Sequence, residues 1–468
     1  MGSNDSPRNV VLVLSDEHNP FYSSPYGDKR IDTPRMQAMA DKGTLFENAY
    51  CPSPLCLPCR AALTAGKYTH QVQAYNNSNV NLSGDFQSWG ETLNAQGVHS
   101  AMIGKVDAYA HSSTLGFSET IVPGDRNFPG DTNISRRPLT PRPGASERSS
   151  EYGPQDDPYP HDDCVIDNSI EWLESTAPSL DHPFVVAINM LAPHFPHYCR
   201  EKLWEKYAFA EDLPELGIEQ ESAQHPRAIE SRVHFQTETF SDADIRGLRR
   251  GYYACIDYLD QQLGRVIDTV NRIGLGESTN IIYASDHGEM LGKFGMWWKC
   301  SLYEDSVRIP LIAMGPDFKG GNRVATPVNL LHVQAEFFRS TRTKMPEDRV
   351  GQALQDCPLD DPNAIAFSEY HGHAASDSAY LLRQGPWKLI YHIDAPHQLF
   401  NLDEDPDECR NRYQSEPEIA AKLEIALRSI CDPEEERARA DAFVANQLDT
   451  IEAKGLGYEI YNQNISDK

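Results

Sequence analysis

The cysteines Cys56 and Cys59 lie in the run Cys56-Leu57-Pro58-Cys59-Arg60, and their spacing could do chemistry. A C-x-x-C pair is typical of a redox-active site or of half a zinc site. No second C-x-x-C occurs in the sequence, so a four-cysteine zinc site would lack half of its ligands. Pro52 and Pro54 break the preceding segment, which disfavours the strand that a thioredoxin-like pair requires. The two cysteines alone leave their chemistry open.

Acidic residues and a histidine follow two predicted strands. Asp16 comes shortly after the apolar run 9–14, and Asp286 and His287 follow the run 279–285. Ligands of open α/β sheets bind beyond the carboxyl ends of the strands, where these side chains should meet. Two carboxylates and an imidazole suit a divalent cation, whereas Asp16 taken alone would more often cap a helix. Together with Cys56 in its motif, the group favours a metal site.

The elements that would position these residues alternate between strands and helices. Further strands are predicted at 100–103, 184–189 and 309–314, and helices at 34–42, 56–66 and 241–272. This order indicates an α/β fold with a mostly parallel sheet between helices. Residues 121–163 lack such a pattern and hold a basic cluster, Arg136, Arg137, Arg142 and Arg148, which we interpret as a solvated loop or a substrate loop.

The last hundred residues have a different pattern. Short strands at 364–370, 379–383, 387–392 and 398–401 predict an antiparallel meander, followed by helices at 417–430 and 432–453. We therefore expect two domains, a large one over residues 1–350 and a smaller C-terminal α+β domain over residues 362–468.

The composition restricts the partners of the protein. A formal net charge of −27 argues against nucleic acid, whose phosphates would be repelled, and against long polyanions more than small anions. The sequence has no apolar run of membrane-spanning length and no secretory signal, so we expect a soluble, cytoplasmic protein with no membrane partner. The ten cysteines are scattered, which favours free thiols. The oligomeric state stays open, with a homo-oligomer among the options.

Motifs along nearly the whole chain resemble those of the type I sulfatases of the alkaline phosphatase superfamily. They are Asp16 after a strand, Cys56-Leu57-Pro58-Cys59-Arg60 with Leu63, Thr64 and Gly66, Gly104-Lys105, Pro193-His194-Phe195-Pro196, Asp286-His287-Gly288 and Trp298-Lys299. Residues 75–77 are similar to choline sulfatases. Residues 104–107, 299–304 and 368–372 are similar to arylsulfatase K, which acts on 2-sulfated glucuronate. The resemblance implies an alkaline-phosphatase-like large domain.

The resemblance also implies roles for single residues. Cys56 would be converted to formylglycine by a formylglycine-generating enzyme, and the hydrate of that aldehyde would attack sulfur. One divalent cation, Ca²⁺ by family analogy with Mn²⁺ or Mg²⁺ as alternatives, would be held by Asp16, Asp286, His287 and residue 56. Arg60 would orient the nucleophile, and His194 would protonate the leaving oxygen. Lys105, Lys299 and Asn77 would hold the sulfate oxygens.

Three positions depart from the family pattern. Glu17 stands where many sulfatases have a second ligand aspartate, which makes it a doubtful ligand, and His287 replaces a common asparagine. Asp107 stands two residues after Lys105, where many relatives have a histidine that is proposed to act as a base. Asp107, His111 or water could take that part, and the sequence gives no physical basis for choosing.

The sequence thus predicts a sulfatase acting on a small sulfated substrate, a sulfated sugar such as a uronate-2-sulfate. We expect His371, His373 and Asp107 to bind that substrate. The alternatives are a phosphonate monoester or phosphodiester hydrolase, which Lys105 disfavours, and a choline sulfatase, which would need an aromatic or acidic cage for its ammonium group. A non-catalytic or redox protein with an unmodified Cys56 is the alternative from another class.

Overall fold

The computed structural model describes residues 6–209, 212–318 and 320–456. Its strands are β1 (Asn9–Asp16), β2 (Thr44–Phe46), β3 (Ala49–Tyr50), β4 (His99–Lys105), β5 (Glu119–Gly124), β6 (Tyr152–Pro154), β7 (Phe184–Pro193), β8 (His197–Cys199), β9 (Thr279–Ser285), β10 (Arg308–Ile309), β11 (Leu311–Met314), β12 (Asn322–Val324), β13 (Val328–Asn329), β14 (Ile365–Tyr370), β15 (Ala379–Gln384), β16 (Trp387–His392) and β17 (Gln398–Asn401).

The helices alternate with these strands in the first two thirds of the chain. They are α1 (Pro34–Lys42), α2 (Cys56–Ala65), α3 (Thr69–Val72), α4 (Trp89–Asn94), α5 (Pro160–Ser175), α6 (Glu201–Lys206), α7 (Pro226–Phe235), α8 (Asp242–Arg272), α9 (Glu304–Val307), α10 (Leu331–Thr341), α11 (Pro417–Arg428) and α12 (Pro433–Ala453). None of the helices within the described ranges has the length and apolar character needed to cross a membrane.

A large sheet forms the centre of the molecule, with the strand order β12-β2-β11-β9-β1-β7-β4-β5. The neighbours β9, β1, β7, β4 and β5 run parallel, while β11 is antiparallel to both β9 and β2. The central strands are almost wholly buried, because α1, α5 and α8 pack together as one group of helices and α2, α4 and α10 pack as another. The predicted α/β fold with a mostly parallel sheet is confirmed.

The segment 309–314 differs from its prediction as a single strand. It is divided at Pro310 into β10 and β11, which join different sheets. Proline has no N–H to donate to a neighbouring strand, so a ladder cannot run through this position.

The C-terminal part has a sheet of its own, with the antiparallel order β14-β15-β16-β17. Helix α11 packs on β15 and β16, and Phe367, Leu389 and Leu423 belong to the apolar core between them. Lys388, fully buried in β16, forms ion pairs with Glu304 of α9 and with Glu408. The ion pair with Glu304 joins the small sheet to the segment that follows Lys299. The predicted antiparallel meander is confirmed, whereas the domain boundaries stay predictions, and residues 1–5 and 457–468 lie outside the described ranges.

Candidate active site

Four neighbouring parallel strands end at one edge of the large sheet. Lys105 is the last residue of β4, Asp16 is the last of β1, His194 follows the last residue of β7, and Asp286 follows β9. Because adjacent parallel strands have their carboxyl ends on the same side, residues separated by up to 270 positions meet there. The sequence prediction that these side chains converge is therefore matched by the geometry.

Cys56, the first residue of α2, lies next to this group. Its Sγ lies 3.3 Å from His287 Nε2, 3.9 Å from Asp16 Oδ1 and 4.0 Å from His194 Nε2. Burial raises the pKa of the thiol, but the neighbouring cations outweigh that effect and hold the pKa well below its ordinary value. The amino end of a helix also favours negative charge. An anionic oxygen or sulfur at position 56 is therefore stabilised.

A candidate metal site surrounds position 56. One ligand atom from each of Asp16, Cys56, Asp286 and His287 lies within 4.8 Å of the others, and all four residues are buried. His287 Nδ1 lies 3.1 Å from the main-chain oxygen of Gly288, so Nε2 faces the group. Burial lowers the pKa of His287, but Asp286 and Cys56 outweigh burial and raise it to about 9, so a bound cation would displace the proton of Nε2. This donor set fits a divalent cation.

Arg60 contacts the carboxylates of both Asp16 and Asp286. Its Nε donates to Asp286 Oδ2 at 2.7 Å, and Nη2 lies 3.4 Å from Asp16 Oδ2. Other donors of the guanidinium reach the main-chain oxygens of Ser15 and Lys105. Arg60 is thus placed to position the two carboxylates, a role that differs from the expected one of orienting the nucleophile directly.

Lys105 forms a buried ion pair with Asp16 Oδ2 and lies 3.4 Å from Asp107 Oδ2. Asp107 also accepts from Arg126, with Nε and Oδ1 3.1 Å apart. Burial raises the pKa of Asp107, but Arg126 and Lys105 outweigh burial and bring that pKa below its ordinary value. The ionised Asp107 balances two cations, which makes it a weak base.

Lys299, Glu17 and His194 form a second cluster on the open side of Cys56. Lys299 Nζ lies 2.8 Å from Glu17 Oε2 and 2.5 Å from His194 Nε2, and the same histidine nitrogen lies 3.1 Å from Glu17 Oε2. Burial raises the pKa of Glu17, but His194 and Lys299 outweigh burial and lower the pKa to about 2. Glu17, which the sequence left as a doubtful ligand, is here an ionised partner of both.

Asn77 approaches from the loop after α3. Its Oδ1 accepts from the N–H of Leu57 at 3.0 Å, in the first turn of α2. This bond fixes the side chain beside Cys56, where its amide lines the cavity described next.

A cavity of about 570 Å³ opens in front of this cluster. Among the described residues, its lining includes Asn77, Arg126, Asp131, Arg142, Arg148, Glu151, Asp157, Tyr159, Asp162, His194, Phe195, Tyr198, Trp298, Lys299, Cys300 and His373. The lining contains positively and negatively charged side chains and several aromatic rings, which suits a polar ligand of the size of a sugar.

Two predicted histidines are not in this cavity. His371 is buried away from the lining, with Nε2 2.8 Å from Glu369 Oε2 and Nδ1 2.9 Å from Ser378 Oγ. His111 is largely exposed and pairs with Asp125 at 3.4 Å. The expectation that His371 binds substrate is therefore corrected, since its ring is fully engaged in a buried network. His373, in contrast, does line the cavity.

The four arginines of the basic segment 121–163 also divide into a pair that lines the cavity and a pair that does not. Arg136 and Arg137 form ion pairs with Asp441 of α12, and Arg137 also pairs with Asp377, whereas Arg142 and Arg148 line the cavity. Sequence reasoning missed Asp131, Phe195 and Trp298 as lining residues. The two aromatic residues directly adjoin His194 and Lys299 in the chain, which was the available signal, but no signal indicated Asp131.

Comparisons with known proteins agree with this geometry. The family profile described as Sulfatase matches residues 8–341, and one described as N-sulphoglucosamine sulphohydrolase, C-terminal, matches residues 292–431. Arylsulfatase K of Danio rerio is 29% identical over 461 residues, which cover 92% of this chain and 84% of that protein. The choline-sulfatase of Rhizobium meliloti (strain 1021) is 27% identical over 433 residues, 86% of this chain and 82% of the relative.

A solved structure has a similar fold. The phosphonate monoester hydrolase of Agrobacterium radiobacter superposes with a TM-score of 0.73 at 20% identity, over 92% of this chain and 96% of the other. At that identity the likeness shows the fold alone.

Proposed function

The chain belongs to the sulfatase family of sulfuric ester hydrolases, and on that premise we propose that its nucleophile is a formylglycine made from Cys56. The observation that carries the proposal is the position of Cys56 at the amino end of α2, with His287 Nε2 at 3.3 Å and Asp16 Oδ1 at 3.9 Å from its sulfur. Oxidation by a formylglycine-generating enzyme would supply an aldehyde hydrate with two hydroxyls, one to attack sulfur and one to release sulfate.

A divalent cation held by Asp16, Asp286, His287 and residue 56 would supply charge that favours ionisation of the nucleophile. We expect Ca²⁺, with Mn²⁺ or Mg²⁺ as alternatives. The chain prepares this site before any ion binds, since Arg60 balances the negative charge of the two aspartates and fixes their orientation.

His194 and Lys299 act on the substrate side. The Nδ1 of His194 lies at hydrogen-bonding distance from the main-chain oxygen of Phe195, so the other nitrogen, Nε2, faces the site. Nε2 would pass a proton to the leaving oxygen, and both Glu17 Oε2 at 3.1 Å and Lys299 Nζ at 2.5 Å lie beside that nitrogen. Lys299, with Lys105 and Asn77, offers donors to the sulfate oxygens.

The substrate that we propose is a small sulfated sugar such as a uronate-2-sulfate. A cavity of about 570 Å³ has room for one or two sugar rings, and its arginines and carboxylates can bind hydroxyls and an acidic group. The similarity to arylsulfatase K supports the same class.

Choline sulfate is a poorer fit. A quaternary ammonium group needs open aromatic faces, but Arg148 already lies 4.9 Å over the Phe195 ring and 5.7 Å over the Trp298 ring. The remaining alternative, a phosphonate ester, is disfavoured by the second lysine, Lys105, beside the nucleophile.

The test is to replace Cys56 by Ala in protein made together with a formylglycine-generating enzyme. Turnover of an aryl sulfate should be abolished, and the mass of the wild-type Cys56 peptide should show that oxygen has replaced sulfur. Cys59→Ser is the matched control. Its thiol donates to the main-chain oxygen of Asp286 at 2.8 Å, a bond that a serine hydroxyl can keep. Equal losses in both variants, with an unmodified peptide, would favour a redox pair instead.

A further inference from the structure

Arg148 lies in the short 3-10 helix Ser146–Ser150 between β5 and β6, partly buried on the wall of the candidate cavity. Its guanidinium carbon is 4.9 Å from the centre of the Phe195 ring and 5.7 Å from that of Trp298. Phe195 follows His194 in the chain, and Trp298 precedes Lys299. The two rings therefore hold a cation close to the residues that face the reacting sulfate.

The guanidinium is a planar group with several donors. The Phe195 and Trp298 rings are inclined at 59° to each other, so the guanidinium cannot lie flat on both, and its N–H groups point outward in its own plane. Those donors match the two oxygens of a carboxylate, or two oxygens of a sulfate, in bidentate geometry. An arginine held against aromatic rings is thus suited to recognise an anionic group, and a lysine in its place would provide only a point charge.

Each of the lining arginines Arg126, Arg142 and Arg148 lies near a carboxylate of the protein. Arg142 Nη1 lies 2.9 Å from Asp131 Oδ2, with both residues buried, and Arg126 is bonded to Asp107. The acid close to Arg148 is Glu151, which also lines the cavity. Burial raises the pKa of Glu151, and Arg148 opposes that shift. An anion that binds Arg148 must therefore compete with Glu151.

We propose that Arg148 is a specificity-determining residue that binds a second anionic group of the substrate while His194 and Lys299 face the sulfate that reacts. This inference rests on the proposed function, because it assumes that the reacting sulfate lies at those two residues. The second group is a carboxylate or a further sulfate on the same sugar. A carboxylate is planar and a sulfate is tetrahedral, but each presents two oxygens at a spacing that matches two N–H groups of a guanidinium. Glu151 weakens the same contact by its charge.

The experiment compares Arg148→Gln, Arg148→Lys and Glu151→Gln on four sulfate esters: 4-nitrophenyl sulfate, a 2-sulfated glucose glycoside, the matching glucuronate glycoside and a disulfated glucosamine. For substrates with a second anionic group, Arg148→Gln should raise KM about tenfold or more, and Arg148→Lys should recover part of the loss. Glu151→Gln should lower the same KM. The KM of substrates without a second charge should change less than about twofold. Comparison of the two charged sugars shows whether the second group is a carboxylate or a sulfate.

Arg137→Gln is the matched control, because Arg137 belongs to the same loop but pairs with Asp377 and Asp441. Binding of free glucuronate, followed by calorimetry in wild type and in Arg148→Gln, gives a readout that does not need turnover. If the wild type hydrolyses no sulfate ester, the proposed function fails, while the calorimetry still tests Arg148. Equal effects of Arg148→Gln on all four esters, or an unchanged KM for both charged sugars, would overturn the inference, and unchanged glucuronate binding would exclude the carboxylate as the second group.

Discussion

Arg60, about one helical turn after Cys56 in α2, forms a fully buried ion pair with Asp286, with Nε and Oδ2 2.7 Å apart. The same guanidinium reaches Asp16 Oδ2 at 3.4 Å, so a single cation joins two carboxylates that extend from adjacent strands. Desolvated carboxylates without such a partner are costly, because burial strongly disfavours their charged form. Arg60 therefore reduces the free-energy cost of burying the two carboxylates in the folded chain.

The first prediction is that Arg60→Ala lowers the free energy of unfolding by about 3 to 5 kcal/mol in metal-free protein, because two buried carboxylates lose a shared cation. Urea unfolding measures this loss, and added divalent cation should restore part of it. Arg35→Ala is the control, since Arg35 and Asp268 form an exposed pair that should contribute no more than about 1 kcal/mol. Similar losses in the two variants would contradict the role given to Arg60.

The second prediction concerns the metal. Asp286→Asn keeps the shape of the side chain but removes a charged ligand, so elemental analysis should find bound cation falling from about one ion per chain to nearly none, and activity should fall with it. Asp107→Asn is the matched control. Asp107 is a buried carboxylate beside Lys105 but lies outside the candidate metal group, so its variant should keep the ion. An active Asp286→Asn enzyme without metal would refute the assignment.

The positions of the strands were predictable because buried parallel strands appear as apolar runs. The strand predicted at 279–285 and the helix predicted at 34–42 have the same bounds in the structure. The site residues Asp16 and Asp286 were predictable for a related reason, since the end of a strand fixes which edge of the sheet its next side chain occupies.

Long-range pairing could not be predicted in the same way. Whether an arginine of the basic loop faces the cavity depends on partners far along the chain, and Arg136 pairs with Asp441, 305 residues away. His371 failed as a substrate ligand because Glu369 and Ser378 occupy both of its nitrogens. Glu369 belongs to the same short motif, but the sequence did not indicate that it lies in the interior, where it also contacts His70, 299 residues away.

The third prediction tests His194 as the acid that protonates the leaving oxygen. His194→Ala should lower kcat/KM for a sugar sulfate, whose alkoxide leaves poorly, by roughly 10² to 10⁴. An aryl sulfate with a good leaving group needs little protonation and should lose less than about tenfold. His161→Ala, which changes another histidine of the cavity lining, should not depend on the leaving group. Equal losses of His194→Ala on both substrates would assign His194 to sulfate binding instead.

The last prediction concerns stability and pH at Glu336, a buried residue of α10 that is not part of the candidate metal group. Its Oε1 accepts from Ser340 Oγ at 2.6 Å and its Oε2 from the N–H of Gln355 at 3.0 Å, but burial outweighs these bonds and raises its pKa to about 7. An unfolded glutamate titrates near about 4.3. The folded state thus binds more protons than the unfolded state between these values, so the free energy of unfolding contributed by Glu336 falls as pH rises through that range.

The Glu336→Gln variant should lack this fall, because an amide does not titrate. Urea unfolding at pH 5 and at pH 7.5 should give a decrease in unfolding free energy that is smaller in the variant than in wild type by at most about 3 kcal/mol. Glu347→Gln serves as the control, since Glu347 is almost fully exposed and its replacement should leave the pH dependence unchanged. If Glu336→Gln keeps the wild-type decrease, the carboxylate of Glu336 is ionised in the folded protein at both pH values, and its hydrogen bonds outweigh the cost of burial.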